Sequence, residues 1–164
     1  MKVLVFGASG SGKTFVSNAL RANGVQVFDA DEVAGLSSWY NREGHKVPAP
    51  SSAREAMSNG YAFMWSRKFL KHFLHEYPDV FLFGGAGNVF GVFDLFDKVY
   101  FLKVDPLLQK ERLKSPLRNR PDMDRHGDEV VVWGAWLEEE AARRGIPFID
   151  ASMTPGEIFA CMQR

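Results

Sequence analysis

Between residues 3 and 20 the chain passes from a continuous apolar run, Val3-Leu4-Val5-Phe6, through Gly7-Ala8-Ser9-Gly10-Ser11-Gly12-Lys13-Thr14, into Phe15, Val16, Ala19 and Leu20 at helical spacing. The run is β-preferring and shows no polar alternation, the pattern of a strand buried on both faces of a parallel sheet. Asn23-Gly24 supplies the stop for the helix. The eight residues from Gly7 to Thr14 fit G-x-x-x-x-G-K-[ST], and a strand before and a helix behind are the context this pattern requires. Glycines let the main chain wrap phosphate oxygens with its N–H groups inward, and the helix N-terminus adds a positive end. Lys13 then reaches the β- and γ-phosphates, and the Thr14 hydroxyl is offered to Mg²⁺. Gly7, Ala8, Ser9, Gly10, Ser11, Gly12, Lys13 and Thr14 are therefore the expected phosphate-binding residues for ATP or GTP.

The rest of the composition bounds this reading. At 164 residues and 46% hydrophobic, the chain is long enough for one core and one domain. Lys plus Arg and Asp plus Glu are 20 each, so no global field draws it to nucleic acid or an anionic membrane. Cys161 is the only cysteine, which excludes a disulfide framework and a cysteine-rich zinc site and fits a reducing, cytoplasmic setting. The opening apolar stretch stops at Gly7, too short for a signal segment or a membrane span.

Further strands are expected at 25–28, 80–83, 98–104 and 146–149, separated by helices, which implies an α/β fold with a five-stranded parallel sheet covered on both faces. Residues 37–52, SSWYNREGHKVPAPSS, are polar and turn-rich, and read as an excursion from the sheet with a small hairpin around Glu43-Gly44. A helical stretch follows over 53–76, with Phe69, Leu70, Phe73 and Leu74 on one face and a break point at Asn59-Gly60. The excursion, taken to residue 60, is a candidate substrate-binding element, and Trp39 and Tyr40 within it are candidates to stack on a substrate ring. Trp133 and Trp136 are expected in the core. Thr154, Pro155 and Glu157 form the start of a capped final helix.

Asp29 and Asp31 lie just past strand two, at the carboxyl edge where open α/β sheets bind ligands. Asp29 is a candidate Mg²⁺ ligand with Thr14, or a helix cap, and Asp31 a candidate general base. Strand three runs into Gly84 without the carboxylate of a Walker B motif, so the metal is expected to rest on Thr14 and the aspartates. Gly84, Gly85, Ala86 and Asn88 are candidate acceptor contacts or a plain tight turn. Lys110, Arg112, Lys114, Arg118, Arg120 and Arg125 form a basic cluster that runs into a proline-punctuated segment, and 112–127 is read as a lid. Arg118 and Arg120 are candidates to stabilise charge on a transferring phosphoryl group. His72 and His75 lack an evident third metal ligand.

Taken together, the loop, Asp29-Ala30-Asp31, Gly84-Gly85-Ala86-Gly87, the segment with Arg112, Arg118 and Arg120-Pro121, and Ile149-Asp150-Ala151-Ser152 resemble the small P-loop kinases of the adenylate kinase and shikimate kinase group. The resemblance spans nearly the whole chain and extends to ATP-binding bacterial members of that group. It implies a three-layer P-loop NTPase fold with sheet order 2-3-1-4-5 and a small lid. It also implies nucleotide contacts from Arg112, Ala151 and Ser152, with ATP and Mg²⁺ as cofactors. Shikimate kinase has an arginine where this chain has Trp133, and its Phe-Arg-x-x-Glu motif is missing around Arg54, which implies a different acceptor.

The expected activity is transfer of the ATP γ-phosphoryl group to a small-molecule acceptor. An alcohol would need Asp31 as base, whereas a nucleoside monophosphate would need Arg42, Arg54 or Arg67. A regulatory nucleotide-binding NTPase without an acceptor is the alternative from another class. Phosphorylation of polynucleotide ends is weakened by the zero net charge and the lack of a continuous basic stripe.

Overall fold

A computed structural model describes residues 1–115 and 127–164. The first half of the chain forms β1 (Lys2–Phe6), α1 (Lys13–Ala22), β2 (Val27–Asp29), β3 (Ser37–Tyr40), β4 (Lys46–Val47), α2 (Ala53–Asn59), β5 (Ala62–Trp65) and α3 (Arg67–Glu76). The second half forms β6 (Val80–Phe83), β7 (Lys98–Lys103), α4 (Pro106–Leu113), α5 (Gly127–Arg143), β8 (Phe148–Asp150) and α6 (Pro155–Gln163). Short 3-10 turns cover Ala30–Glu32 and Val89–Leu95.

Five strands pair in parallel in the order β2-β6-β1-β7-β8, with Leu4 level with Leu82 on one side and Val99 on the other. Counting only these strands along the chain, the order is 2-3-1-4-5, as the resemblance implied. Successive side chains on β1 point to opposite faces, and both faces are core. Val3 and Val5 join Val16, Leu20, Ile158 and Met162 of α1 and α6. Leu4 and Phe6 join Leu70, Phe73 and Leu74 of α3 and Leu137 and Ala141 of α5. The architecture is thus helices, sheet, helices, with β1 in the middle of all three layers.

The hairpin expected around Glu43-Gly44 forms, and a further strand joins it. Trp39 and Tyr40 pair with Val47 and Lys46 across a hairpin that turns at Gly44 (φ +81°), where the Asn41 side chain accepts from His45 N–H at 2.9 Å. The helix expected over 53–76 is interrupted. Gly60 adopts φ +65° and ends α2, and Tyr61 N–H returns to Ala56 C=O at 2.8 Å. Residues 62–65 then leave the helical path to pair antiparallel with β3, from Ser37 opposite Trp65 to Tyr40 opposite Ala62. The result is a second sheet, β4-β3-β5, whose pairing partner lies over twenty residues away and outweighs the local helical pattern. Trp133 and Trp136 are 37% and 45% exposed, not core as expected, although Trp136 meets Phe90 edge-on at 6.0 Å.

Among the described residues no helix is long and apolar enough to cross a membrane. On α5 Arg143 is bound to Glu139 at 2.6 Å and Arg144 is bound to Glu140. At α6 the capping box is complete: Thr154 Oγ1 accepts from Glu157 N–H, and the Glu157 carboxylate accepts from Thr154 N–H at 2.8 Å. These bonds hold the Glu157 carboxyl below the usual glutamate range, so its contribution is present at neutral pH and lost as pH falls through the depressed value. Replacing the cap, Thr154→Ala, is expected to cost about 1 kcal/mol in urea unfolding, and the Glu157 carboxyl followed by NMR should titrate closer to an ordinary glutamate.

Candidate active site

The loop after β1 is shaped by two glycines. Gly10 (φ +82°) and Gly12 (φ +94°) take left-handed conformations that cost an L side chain energy, and Gly12 is the N-cap of α1. No side chain caps this helix start and its own first turn carries no acid, so its main-chain N–H groups face the loop. The Lys13 ammonium folds over the turn, donating to Gly7 O and Ala8 O at 2.8 Å each and to Ser11 Oγ at 3.3 Å.

Thr14 and Asp29 meet. The Thr14 hydroxyl donates to Asp29 Oδ2 at 2.5 Å, and Asp29 Oδ1 accepts from Asp31 N–H at 2.9 Å, capping the 3-10 turn. The cap anticipated for Asp29 is therefore formed by Oδ1, while Oδ2 of the same buried carboxylate lies against the Thr14 hydroxyl. A hydroxyl and a carboxylate side by side are hard oxygen donors, and Mg²⁺ ordinarily takes one or two such protein ligands together with phosphate oxygens. Thr14 and Asp29 fit that ion. Asp31, two residues on, is exposed at the same sheet edge.

The opposite wall comes from α4 and the loop after β8. Arg112 donates from Nη1 to Ser11 O at 2.8 Å and from Nη2 to Ala151 O at 3.3 Å, joining two expected nucleotide-binding segments. Ser152 N–H donates to Asp150 Oδ1 at 2.8 Å, which with the Ser152 hydroxyl lowers the Asp150 carboxyl pKa. Gln109, one turn before Arg112, donates to Ser9 O at 2.9 Å. Sequence reasoning missed it; the only signal was its i,i+3 spacing from Arg112. Arg118, Arg120 and Arg125 lie outside the described residues.

The loop after β6 runs beside the phosphate loop, and a Cβ on Gly85 would sit 3.5 Å from Gly7 O. Gly84 leaves room for Ala30 and the Trp65 ring, and Ala86 is buried in the core. Gly87 N–H donates to Phe63 O at 2.7 Å, and the Asn88 amide both accepts from Trp65 N–H and donates to Trp65 O, each at 2.9 Å. Asn88, a candidate acceptor contact, thus spends its amide on fastening the second sheet to the first. The Trp65 indole N–H and the Ser37 hydroxyl, on residues facing each other across β5 and β3, are buried with no hydrogen-bond partner among the described residues.

Of the arginines considered for a phosphate-bearing acceptor, Arg67 is the one held in a close ion pair. Arg67 forks onto Asp94 at 2.8 and 2.5 Å and donates to Gly91 O at 2.6 Å. Arg54 lies 3.7 Å from Glu129, and Arg42 packs over Gly60. Trp39 stacks at a tilt on Phe63, 5.3 Å between ring centres. His72 pairs with Glu76 at 3.3 Å. With His75, Lys2, Lys68 and Lys71 it lines a shallow depression of about 420 Å³ at the other end of the sheet, away from the loop.

No family model and no curated protein matches the chain by sequence. Solved structures do match by shape, and all three described here are kinases. A shikimate kinase from Aquifex aeolicus superposes with a TM-score of 0.58 at 19% identity, covering 99% of this chain and 94% of that one. Deoxyadenosine kinase from M. mycoides with bound dATP gives 0.55 at 15%, covering 99% and 97%. A gluconokinase from Sinorhizobium meliloti gives 0.52 at 16%, covering 96% and 86%. The fold is that of the small P-loop kinases.

Loss of the Asn88 amide should act on stability. Asn88→Ala leaves the Trp65 main-chain N–H and C=O without partners, and is expected to cost about 1–3 kcal/mol in chemical denaturation while nucleotide affinity stays near that of the unmodified protein.

Proposed function

We propose that this protein transfers the γ-phosphoryl group of ATP to a hydroxyl of a small-molecule acceptor. The observation that carries the reading is the Thr14–Asp29 contact at the mouth of a lysine-bearing phosphate loop, with the exposed Asp31 two residues further along. It supports a reading in which the candidate phosphate loop, the candidate metal ligands and a candidate base share one sheet edge.

In this reading the main-chain N–H groups of residues 7–14 and the start of α1 hold the polyphosphate, and Lys13 leaves the Gly7 and Ala8 carbonyls to reach the β- and γ-phosphates. Thr14 and Asp29 would hold Mg²⁺, which supplies neutralisation of phosphate charge. Arg112, Ala151 and Ser152 flank the nucleotide. Asp31 accepts the proton as the acceptor oxygen bonds to the γ-phosphorus; the bond from that phosphorus to the β–γ bridging oxygen breaks, and ADP leaves. Arg118 and Arg120 are proposed to stabilise the charge that develops on the transferring group. Gly85, beside Gly7, is the proposed border of the acceptor space, whereas the space at Gly84 is filled by Ala30 and the Trp65 ring. A hydroxyl acceptor is favoured over a nucleoside monophosphate because Arg67, of the three arginines considered, is forked onto Asp94 and bound to Gly91 O.

An ADP-release screen over sugars, nucleosides, nucleotides and small hydroxy acids tests this, with Lys13→Ala as the blank. At least one alcohol should raise ADP release above the blank, and Asp31→Asn should lower its turnover by about 10²–10⁴-fold. ATP turnover that no compound accelerates would favour a regulatory NTPase. Transfer only to a monophosphate, merely weakened by Asp31→Asn, would favour the nucleotide kinase reading.

A further inference from the structure

One face of α4 presents two donors to the phosphate loop. Gln109 Nε2 donates to Ser9 O at 2.9 Å and Arg112 Nη1 to Ser11 O at 2.8 Å. Gln109 is only 4% exposed, and a polar group so deeply buried is costly without a partner. In a trans peptide the C=O of one residue and the N–H of the next point in opposite directions. Holding the Ser9 carbonyl against Gln109 therefore fixes the Gly10 N–H away from α4, and Arg112 does the same for the Gly12 N–H. These are the two glycines of the loop with positive φ, where no Cβ restrains the peptide plane. Their orientation has to be set from outside the loop.

Gln109 is itself held. Its Cγ and carbonyl oxygen lie 3.2 Å from the position a Gly10 Cβ would take. Behind it α5 comes close at Gly134, where a Cβ would lie 2.7 Å from Ala8 Cβ and 3.2 Å from Gln109 Nε2. The space remaining there, about 50 Å³, is bounded by Ala8, Gln109, Gly134 and Glu138 among others. The amide thus has little room to turn from Ser9.

Resting on the nucleotide reading of this loop, we infer that Gln109 is a positioning residue for the polyphosphate of the nucleotide, acting through the Ser9 carbonyl to aim the Gly10 N–H at phosphate oxygens. It touches no ligand itself. Its effect belongs to the phosphates and not to the base, so inorganic tripolyphosphate should feel it as ATP does.

Titration calorimetry with Mg-ATP and with Mg-tripolyphosphate on the whole chain tests the inference, using Gln109→Leu and Gln109→Met, which keep bulk but remove the donor. Each variant is expected to bind both ligands about tenfold more weakly, with its unfolding midpoint within about 4 °C of the unmodified protein. Unchanged affinity for tripolyphosphate in a folded variant overturns the inference, and so does a loss confined to ATP. If one variant fails to fold, the other carries the same expectation; if both fail, the role is structural and the inference falls. Failure of the unmodified protein to bind either ligand would instead refute the nucleotide reading itself.

Discussion

The site depends on the burial of β1 from both sides. Val3, Leu4, Val5 and Phe6 are fully buried, split between the two helical layers, so the strand cannot slide or tilt without exposing one core or the other. Its carboxyl end delivers Gly7 between β6 and β7, and the chain must leave the sheet there. A Cβ at Gly7 would come 2.7 Å from Leu102 O, so the exit is tight. The sharp turn into α1, with its left-handed glycines, follows from that confinement. The same strand end sets Asp29 and Gly85 on one side of the loop and the β7–α4 connection on the other.

From this base the polar contacts form a closed ring around the loop. Thr14 reaches Asp29, Arg112 spans Ser11 and Ala151, Gln109 takes Ser9, and Lys13 takes Gly7 and Ala8. Most of these bonds fix main-chain carbonyls, and by fixing them orient the amides on the other side of each peptide. The Lys13 ammonium is the exception, since in the proposed reading it has to leave the Gly7 and Ala8 carbonyls to meet an anion.

Much of this was legible in the sequence because it is local. The apolar run, the glycine spacing, Lys13 and Thr14 lie within a dozen residues, and the cap at Thr154 within four. Asp29 was readable from its place after a strand, although its division between Thr14 and the Asp31 N–H was not. The second sheet was not foreseen: β5 looks helical by its neighbours and becomes a strand only because Ser37–Tyr40 is there to pair with it. Gln109 escaped for the same reason, since it finds its partner across 100 residues of chain, as Asn88 does across 23. Asn88 was read as a ligand contact because polar residues beside glycines often are; the amide instead completes the hydrogen bonding of an edge strand.

The most direct measurement of the central claim is the set of backbone amide shifts on titration with Mg-ATP. The account predicts that the largest changes fall on residues 7–14, with Gly10 and Gly12 foremost, and that Lys13→Ala reduces them. Saturating nucleotide that leaves those amides unmoved, or that shifts instead the surface around Lys2, Lys68 and Lys71, would contradict it.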